Sequence, residues 1–208
     1  DATEIYQEGL RIPPVALYQG GKFNEDIYEI MLSNIRGPHE RAADIRAHMA
    51  ALQVAERRIH ELAERFGVDN LIKYMSSLID YSEMRLEKAI LDGPEGTWCA
   101  TDYLDDDLGS DDPIPVKVKV TIRHKPKPTI IVDFTGSDKQ ASGAINCTYG
   151  VTVSATYNAI LQVTDSSVPR NVGCYRPIKL IAPPGTVVNV AYPGPEVGGN
   201  SNYNQKSP

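Results

Sequence analysis

The feature of this sequence that most constrains its fold is a stretch of more than fifty residues with helical periodicity and one internal break. From Pro38 to Gly67, and again from Asp69 to Gly93, apolar residues recur at spacings of three, four or seven. Such a period places the apolar side chains on one stripe of each helix. Because only a short turn around Gly67 joins the two segments, the sequence predicts an antiparallel helical hairpin with a buried stripe. The stripe consists of Ile45, Met49, Leu52, Ile59, Leu62 and Phe66, then Leu71, Ile72, Met75, Leu78, Ile79, Leu86 and Ile90.

The residues before the hairpin predict a loop followed by a short helix. Residues 1–24 mix charged, aromatic and turn residues without a helical or strand period, which is typical of a loop or short strand. Asn24 is a suitable N-cap for a helix with Glu25 and Asp26 in its first turn. Gly37-Pro38 ends that helix and begins the next.

Beyond Gly96 the period changes from helical to two. The runs 116–122 and 129–134 flank a Pro-rich turn and predict a half-buried β-hairpin. Residues 148–163 have a pattern that favours one further helix, and 178–181 and 187–190 favour short strands. We therefore predict an α+β protein of three regions, 1–24, 25–92 and 93–208, in which an N-terminal helical hairpin precedes a β-rich region with one further helix.

Composition and charge exclude several classes of protein. The chain has 21 basic and 27 acidic residues, a net charge of -6, and so lacks the basic excess typical of proteins that bind nucleic acid or anionic membranes. No run reaches the length of apolar residues that a membrane span requires. The 3 cysteines show no Cys-x-x-Cys spacing and are too few for a disulfide framework. We therefore predict a cytoplasmic protein with no nucleic-acid or membrane partner.

The sequence does not contain a complete motif for metal or nucleotide binding. His48 and His60 lie on different faces of one helix, which disfavours a shared zinc site. The acidic run that starts at Asp105 has Val116 where a calcium loop needs its closing Glu. A Gly-rich phosphate loop is absent from the sequence as well. We therefore interpret the histidines and the acidic run as solvated surface groups.

Three further features leave a functional and a structural interpretation open. In 133–137 the order Asp-Phe-Thr-Gly-Ser resembles an aspartic-protease loop, but Phe134 occupies the position of the catalytic Asp, so we predict a tight turn. Cys147 lies at a predicted loop-to-helix junction, where a thiol can be either a nucleophile or a small buried residue. Glu4 and Glu8 can share one face whether their segment is helical or extended.

Several motifs together resemble the hydantoinase B/oxoprolinase family, and they extend along nearly the whole chain. They are Thr-Glu-Ile-Tyr-Gln-Glu-Gly-Leu-Arg-Ile-Pro-Pro at 3–14, Asp-Tyr-Leu-Asp-Asp-Asp at 102–107, Val-Asp-Phe-Thr-Gly-Ser-Asp at 132–138, Ile-Asn-Cys at 145–147, Gly-Cys at 173–174 and Val-Gly-Gly-Asn at 197–200. Family members are more than twice as long, and their His-x-x-Asp metal motif precedes the first of these segments. The resemblance therefore implies an internal fragment or a truncated copy.

The resemblance implies an activity that is shared between two proteins. A hydantoinase A-like partner would bind ATP and phosphorylate a small cyclic amide, and the B-type subunit would direct water at the activated carbon. The implied complex is a hetero-oligomer, and the intact B-type subunit would hold a divalent metal, Zn or Mn. In this chain Glu4 and Glu8 are the residues that the resemblance leaves as metal ligands. Two alternatives stay open: a related ATP-dependent ketone carboxylase, and a noncatalytic scaffold that supplies an interface.

We place the substrate cleft of the intact subunit at the turn after the second strand and at the following loop-to-helix junction. Polar loops at strand ends are common positions for binding groups. The predicted cleft residues are Thr135, Ser137, Asp138, Asn146 and Cys147. Their hydroxyl and amide groups would hydrogen-bond an activated intermediate. The alternative is tight-turn chemistry beside a buried cysteine.

Overall fold

The structure is a computed structural model, and it describes residues 2–107 and 112–199. Gly109 and Asp111 of the acidic run, and Asn200 of the Val-Gly-Gly-Asn motif, lie outside these residues. The described part confirms the α+β class and the order of a helical region followed by a β-rich region. In this part of the chain, no helix combines the length and the apolar character needed to cross a bilayer.

The predicted helices begin at or within one residue of their capping signals, but the first helix ends at Ser33 and not at Gly37-Pro38 as predicted, because Asn34 already leaves the helical conformation. They are α1 (Glu25–Ser33), α2 (Pro38–Phe66), α3 (Val68–Asp92), α4 (Tyr149–Val163) and α5 (Val172–Tyr175). Asn24 caps α1 by accepting a hydrogen bond from the Ile27 N–H (3.2 Å), and Thr148 caps α4 by accepting one from Val151 (3.3 Å). Gly67, with φ 79°, is the single residue between α2 and α3, so α3 begins one residue before the predicted cap, Asp69.

The strands form two sheets. β1 (Tyr18–Gln19) and β2 (Lys22–Phe23) make a two-stranded ribbon, and β3 (Gly96–Leu104), β4 (Ile114–Arg123), β5 (Thr129–Asp133) and β6 (Ile178–Ile181) make a sheet in that spatial order. The predicted hairpin of β4 and β5 is confirmed, and β6 joins β5 in parallel. The strand predicted at 187–190 is wrong, because those residues form turns and isolated bridges.

The chain divides into two compact units, Gly9–Tyr74 and Asp1–Glu8 with Met75–Pro208. In the second unit, one face of the sheet packs against the C-terminal half of α3 and against α4. The centre of this core consists of Leu86, Ile90, Ile130, Val132, Ile160, Leu161 and Ile178. The division into the regions 1–24, 25–92 and 93–208 rests on sequence pattern and not on compactness, and it stays a prediction.

The apolar stripe of the long helices is not buried as predicted. Two long helices do follow each other across one residue, but Leu52 is 63% exposed, Ile59 is 53% exposed and Met75 is 55% exposed. Only toward the end of α3 does the stripe reach a core, at Leu86 and Ile90. The prediction of a wholly buried stripe is wrong because periodicity records which face is apolar, whereas burial requires a neighbouring surface.

Candidate functional site

The turn after β5 is fixed by its own side chains. Ser137 Oγ accepts a hydrogen bond from the Lys117 N–H (3.0 Å) and donates one to the Lys117 carbonyl (3.0 Å), so this hydroxyl continues the pairing of β4. The Thr135 N–H donates to Asp133 Oδ1 (2.9 Å), and the Thr135 hydroxyl bonds the same carboxylate. With Lys119 Nζ 3.0 Å from Asp133 Oδ2, these bonds lower the pKa of Asp133 to about 2.

Asn146 is fully buried, and its side-chain amide joins three loop carbonyls. Nδ2 donates to the carbonyls of Ala141 (3.0 Å), Gly143 (3.0 Å) and Pro195 (2.9 Å), and Oδ1 accepts from the Ala141 N–H (2.7 Å). Both amide protons are therefore engaged within the protein. Such a buried and satisfied amide holds loops that are distant in sequence in one arrangement.

Four segments meet around this amide, and we call the assembly the Asn146 junction: residues 4–8, 141–147, 187–190 and 193–199. Gly198 N and Gly199 N both donate to the Ala144 carbonyl (2.6 and 3.1 Å). A Cβ on Gly199 would lie 2.0 Å from the Asn146 carbonyl oxygen, so the close approach of these two segments requires glycine. A Cβ on Gly198 would likewise lie 2.7 Å from the Ala144 carbonyl oxygen, so packing requires glycine at both positions of this pair.

Val187 connects the turn after β5 to the junction. Its N–H donates to the Asp138 carbonyl (3.1 Å), and its own carbonyl accepts from the Cys147 N–H (2.7 Å). Asp138 and Cys147 are therefore both hydrogen-bonded to Val187. In this way the structure brings the turn after β5 close to the loop-to-helix junction. Their polar groups, however, mostly bond each other and the backbone.

The Cys147 thiol is buried and unreactive in this arrangement. Its side chain is 1% exposed, and Sγ donates to the Gly199 carbonyl (3.5 Å). Burial, with a smaller contribution from the charge of Glu196, raises the pKa of the Cys147 thiol to about 12. A thiol with that pKa is protonated at neutral pH, so the geometry favours the small buried residue over the nucleophile.

The N-terminal segment docks on the last described segment through Glu8. Glu8 Oε1 accepts hydrogen bonds from the backbone N–H groups of Glu196 (2.6 Å) and Val197 (2.9 Å), and the Ile5 N–H donates to the Pro193 carbonyl (2.9 Å). Residues 5–7 form a 3-10 helix, and Glu4 before it is exposed. Burial and the nearby charge of Glu8 raise the pKa of Glu196.

Glu196 is a junction residue that no local motif of the sequence identifies. In the sequence, it is marked only by its position directly before the Val-Gly-Gly-Asn motif. Its hydrogen-bond partner, Glu8, is 188 residues away. The structure places one carboxylate of the predicted metal pair, Glu8, beside Glu196, and leaves Glu4 at the surface.

The described residues do not make a metal centre by themselves. Across 2–107 and 112–199 there is no group of three or more His, Cys, Asp or Glu side chains suited to hold a metal ion. One oxygen of Glu8 is already bonded by two backbone N–H groups. A divalent metal in the intact subunit would need ligands from elsewhere, and a role of Glu4 and Glu8 toward it stays a prediction.

Known proteins and solved structures resemble this chain along nearly its whole length. It is 36% identical over 207 residues to an uncharacterized protein of Methanocaldococcus jannaschii, covering 99% of this chain and 35% of that protein. It is 32% identical to the B-type subunit of a putative D-/L-hydantoinase from a Pseudomonas species, covering 95% and 35%. The crystal structure of an ATP-dependent caprolactamase from Pseudomonas jessenii superposes with a TM-score of 0.82 at 31% identity, covering 93% and 33%.

The chain thus spans about a third of the length of these relatives. The sequence model of the Hydantoinase B/oxoprolinase family matches residues 1–207. The match includes every segment of the Asn146 junction, from the first 3-10 helix to the glycine pair. This chain belongs to the hydantoinase B/oxoprolinase family.

Proposed function

We propose that this chain is a segment of the B-type subunit of an ATP-dependent enzyme that opens a small cyclic amide. A hydantoinase A-like subunit would bind the ATP and activate the amide, and the B-type subunit would deliver water to the activated carbon. The intact enzyme would then be a hetero-oligomer. Support comes from the family match and from the relatives named as a hydantoinase and a caprolactamase.

The observation that carries this proposal is the convergence of the family motifs at the Asn146 junction. Glu8 from the N-terminal motif, Asn146 from the central motif and Gly199 from the C-terminal motif are far apart in sequence and lie within one hydrogen-bonded assembly. Convergence of polar loops on a rigid scaffold is typical of a functional site.

Within this function we assign two roles to the junction residues. Asn146, Ser137 and Thr135 hold the loops in position, because their polar groups bond Lys117, Ala141, Asp133 and other protein atoms. Glu8 and Glu196 are the acidic groups that the fold brings to the junction. We assign to these two carboxylates the support of the reaction, either at the activated amide or by orienting the groups that contact it.

The test uses the full-length subunit assembled with its ATP-binding partner. Glu8→Gln keeps an oxygen that can accept the two backbone hydrogen bonds but removes the charge, so the junction should survive. We expect it to lower ATP-dependent ring opening of hydantoin, 5-oxoproline or caprolactam by about tenfold or more, with an unchanged thermal midpoint. Metal content measured on the same preparations shows whether Glu8 also affects metal retention.

Glu64→Gln is the matched control, since Glu64 is an exposed acid on α2. Its turnover should equal that of the wild type. Full activity of both Glu8→Gln and Glu196→Gln would remove the junction carboxylates from the reaction. Absence of ring opening by the assembled wild-type complex, or turnover that depends on bicarbonate and a ketone, would contradict the proposed hydrolase.

A further inference from the structure

A cavity of about 240 Å³ opens at the turn between β4 and β5, and cations dominate its wall. The charged residues that line it are Arg123, Lys125, Lys127, Arg176 and Lys179. No acidic side chain is among the lining residues described for this cavity. The chain as a whole carries a net charge of -6, so such a concentration of positive charge does not follow from composition.

Two of these cations are held by acids of α3. Lys127 Nζ lies 2.6 Å from Glu83 Oε1 and 3.1 Å from Glu87 Oε1, and Arg176 Nη1 lies 2.7 Å from Glu83 and 3.2 Å from Asp80. The hydrogen bonds from Arg176 and Lys127 lower the pKa of Glu83. This network fixes one side of the cavity and uses three carboxylates.

The other three cations, Arg123, Lys125 and Lys179, have no ion-pair partner among residues 2–107 and 112–199. Arg123 pairs with Thr129 across the β4–β5 ladder, and Lys179 pairs with Ile131 across the β5–β6 ladder. Both therefore lie on the sheet face opposite to buried Ile130, on either side of β5, about 10 Å apart in the direction across the strands. Side chains of that length can reach one ligand from two directions.

The cavity is separate from the Asn146 junction. It lies where β5 begins, whereas the turn that leads to the junction follows the end of β5 at Asp133. At about 3.3 Å per residue, the five residues of β5 place these two ends about 13 Å apart. The cavity therefore needs an explanation of its own.

We propose that this cavity binds a small anion that carries a phosphate group. Five cations against three neighbouring carboxylates leave a local excess of positive charge, and the Arg123 guanidinium has the planar donor geometry that matches phosphate oxygens. The volume is below the range of about 300–1,000 Å³ that encloses drug-sized ligands, which favours phosphate or pyrophosphate over a whole nucleotide. The three uncompensated cations would supply the binding energy.

Isothermal titration calorimetry on this 208-residue chain tests the proposal. It requires neither the ATP-binding partner nor turnover, so its result does not depend on whether the proposed hydrolase activity is correct. Pyrophosphate, inorganic phosphate and ADP are titrated separately at physiological ionic strength. We expect saturable binding of pyrophosphate with one site per chain. Arg123→Ala and Lys179→Ala should each weaken it by about tenfold, because each removes a charge-assisted contact. Lys73→Ala, an exposed lysine of α3, is the matched control and should bind as the wild type does.

The affinities of the three ligands also show whether the site binds a free phosphate or the phosphates of a nucleotide. Equal affinity for pyrophosphate and ADP assigns the site to the phosphates alone, and tighter binding of ADP assigns it to the phosphates of a nucleotide. The proposal is overturned if none of the three ligands binds saturably, or if Lys73→Ala weakens binding as much as Arg123→Ala does. Circular dichroism of each variant confirms that it is folded.

Discussion

The two ends of α3 carry the same apolar period and have opposite environments. Met75 and Leu78 are 55% and 49% exposed, whereas Leu86 and Ile90 are 0% and 2% exposed. The difference lies in what surrounds each end: the sheet and α4 pack on Leu86 and Ile90. Throughout 9–74 the only buried apolar residue is Ala42, on α2.

This contrast shows that an apolar helix face and the burial of that face are two different properties, and that a hydrophobic pattern reports only the first. The period of α2 and α3 indicates helices with one apolar face. Whether that face is stabilising depends on the area it removes from water, at about 25 cal/mol per Å². Among the residues that the structure describes, those after Tyr74 therefore supply most of the buried apolar area, and the apolar face of α2 contributes little to it.

The largest effect is expected from Leu86→Ala, at the centre of the core. Leu86 is 0% exposed and belongs to the cluster formed by the sheet, α3 and α4. Truncation should lower the free energy of unfolding by about 2–5 kcal/mol, because it removes buried methyl groups and leaves a cavity. Urea denaturation followed by the fluorescence of Trp98, the single tryptophan, measures the change. A loss below about 1 kcal/mol would show that this core is loosely packed.

Asn146→Ala should have the next largest effect. It removes four hydrogen bonds from a fully buried position and leaves loop carbonyls and the Ala141 N–H without their partner. We expect a loss of about 2–3 kcal/mol, since each unsatisfied buried group costs about 1–3 kcal/mol. Unchanged stability together with a large loss of turnover in the full-length enzyme would instead favour direct contact of Asn146 with substrate.

Asp133→Asn should cost less, and the cost should depend on pH. The pKa of Asp133 is about 2, below the ordinary 3.8, because Thr135 and Lys119 favour the charged form. This stabilisation is present above about pH 4 and is lost as the pH falls through about 2. The variant should therefore be about 1 kcal/mol less stable than the wild type at pH 7, and the two should become equal below about pH 2.

Asp92→Asn provides the control for that pH dependence. Its carboxylate, 67% exposed and 3.1 Å from the exposed Lys88 Nζ, forms a surface pair whose loss should change stability by less than about 0.5 kcal/mol. A pH-independent cost of Asp133→Asn would show that lost packing, rather than the charge, causes the destabilisation.

Leu52→Ala should have the smallest effect. Leu52 lies on the apolar stripe of α2 but is 63% exposed, so little area returns to water when it is truncated. The free energy of unfolding, measured by far-UV circular dichroism during urea denaturation, should change by less than about 0.5 kcal/mol. A loss comparable to that of Leu86→Ala would mean that the stripe is buried in solution.

The sequence predicts most of the secondary structure because its signals are local. Asn24 caps α1, Gly67 separates two long helices, and the alternation of 116–122 and 129–134 forms paired strands. The pattern does not reveal β3, because Gly96–Leu104 is an edge strand with nearly every residue exposed and so has no apolar alternation. The strand predicted at 187–190 is absent because Val187 and Val188 are buried by the junction and not by a sheet.

The candidate site can be predicted only in part, for a physical reason. Proximity in sequence correctly indicates that the turn after β5 and Asn146-Cys147 lie close together. The bonds that bring the separate segments of the junction together join residues far apart in sequence, such as Asn146 to Pro195, 49 positions apart, and Glu8 to Glu196, 188 positions apart. Such pairs leave no spacing pattern in one sequence, so Glu196 cannot be identified from local chemistry.

Hydrogen exchange of the backbone amides, measured on this chain in solution, tests the central contrast most directly. Amides exchange through local or global opening, so their protection reports how stable each region is. We expect strong protection in β4, β5 and α4, with weak protection along most of α2. Protection of α2 equal to that of α4 would contradict this contrast, because the apolar face of α2 would then be stabilised within this chain.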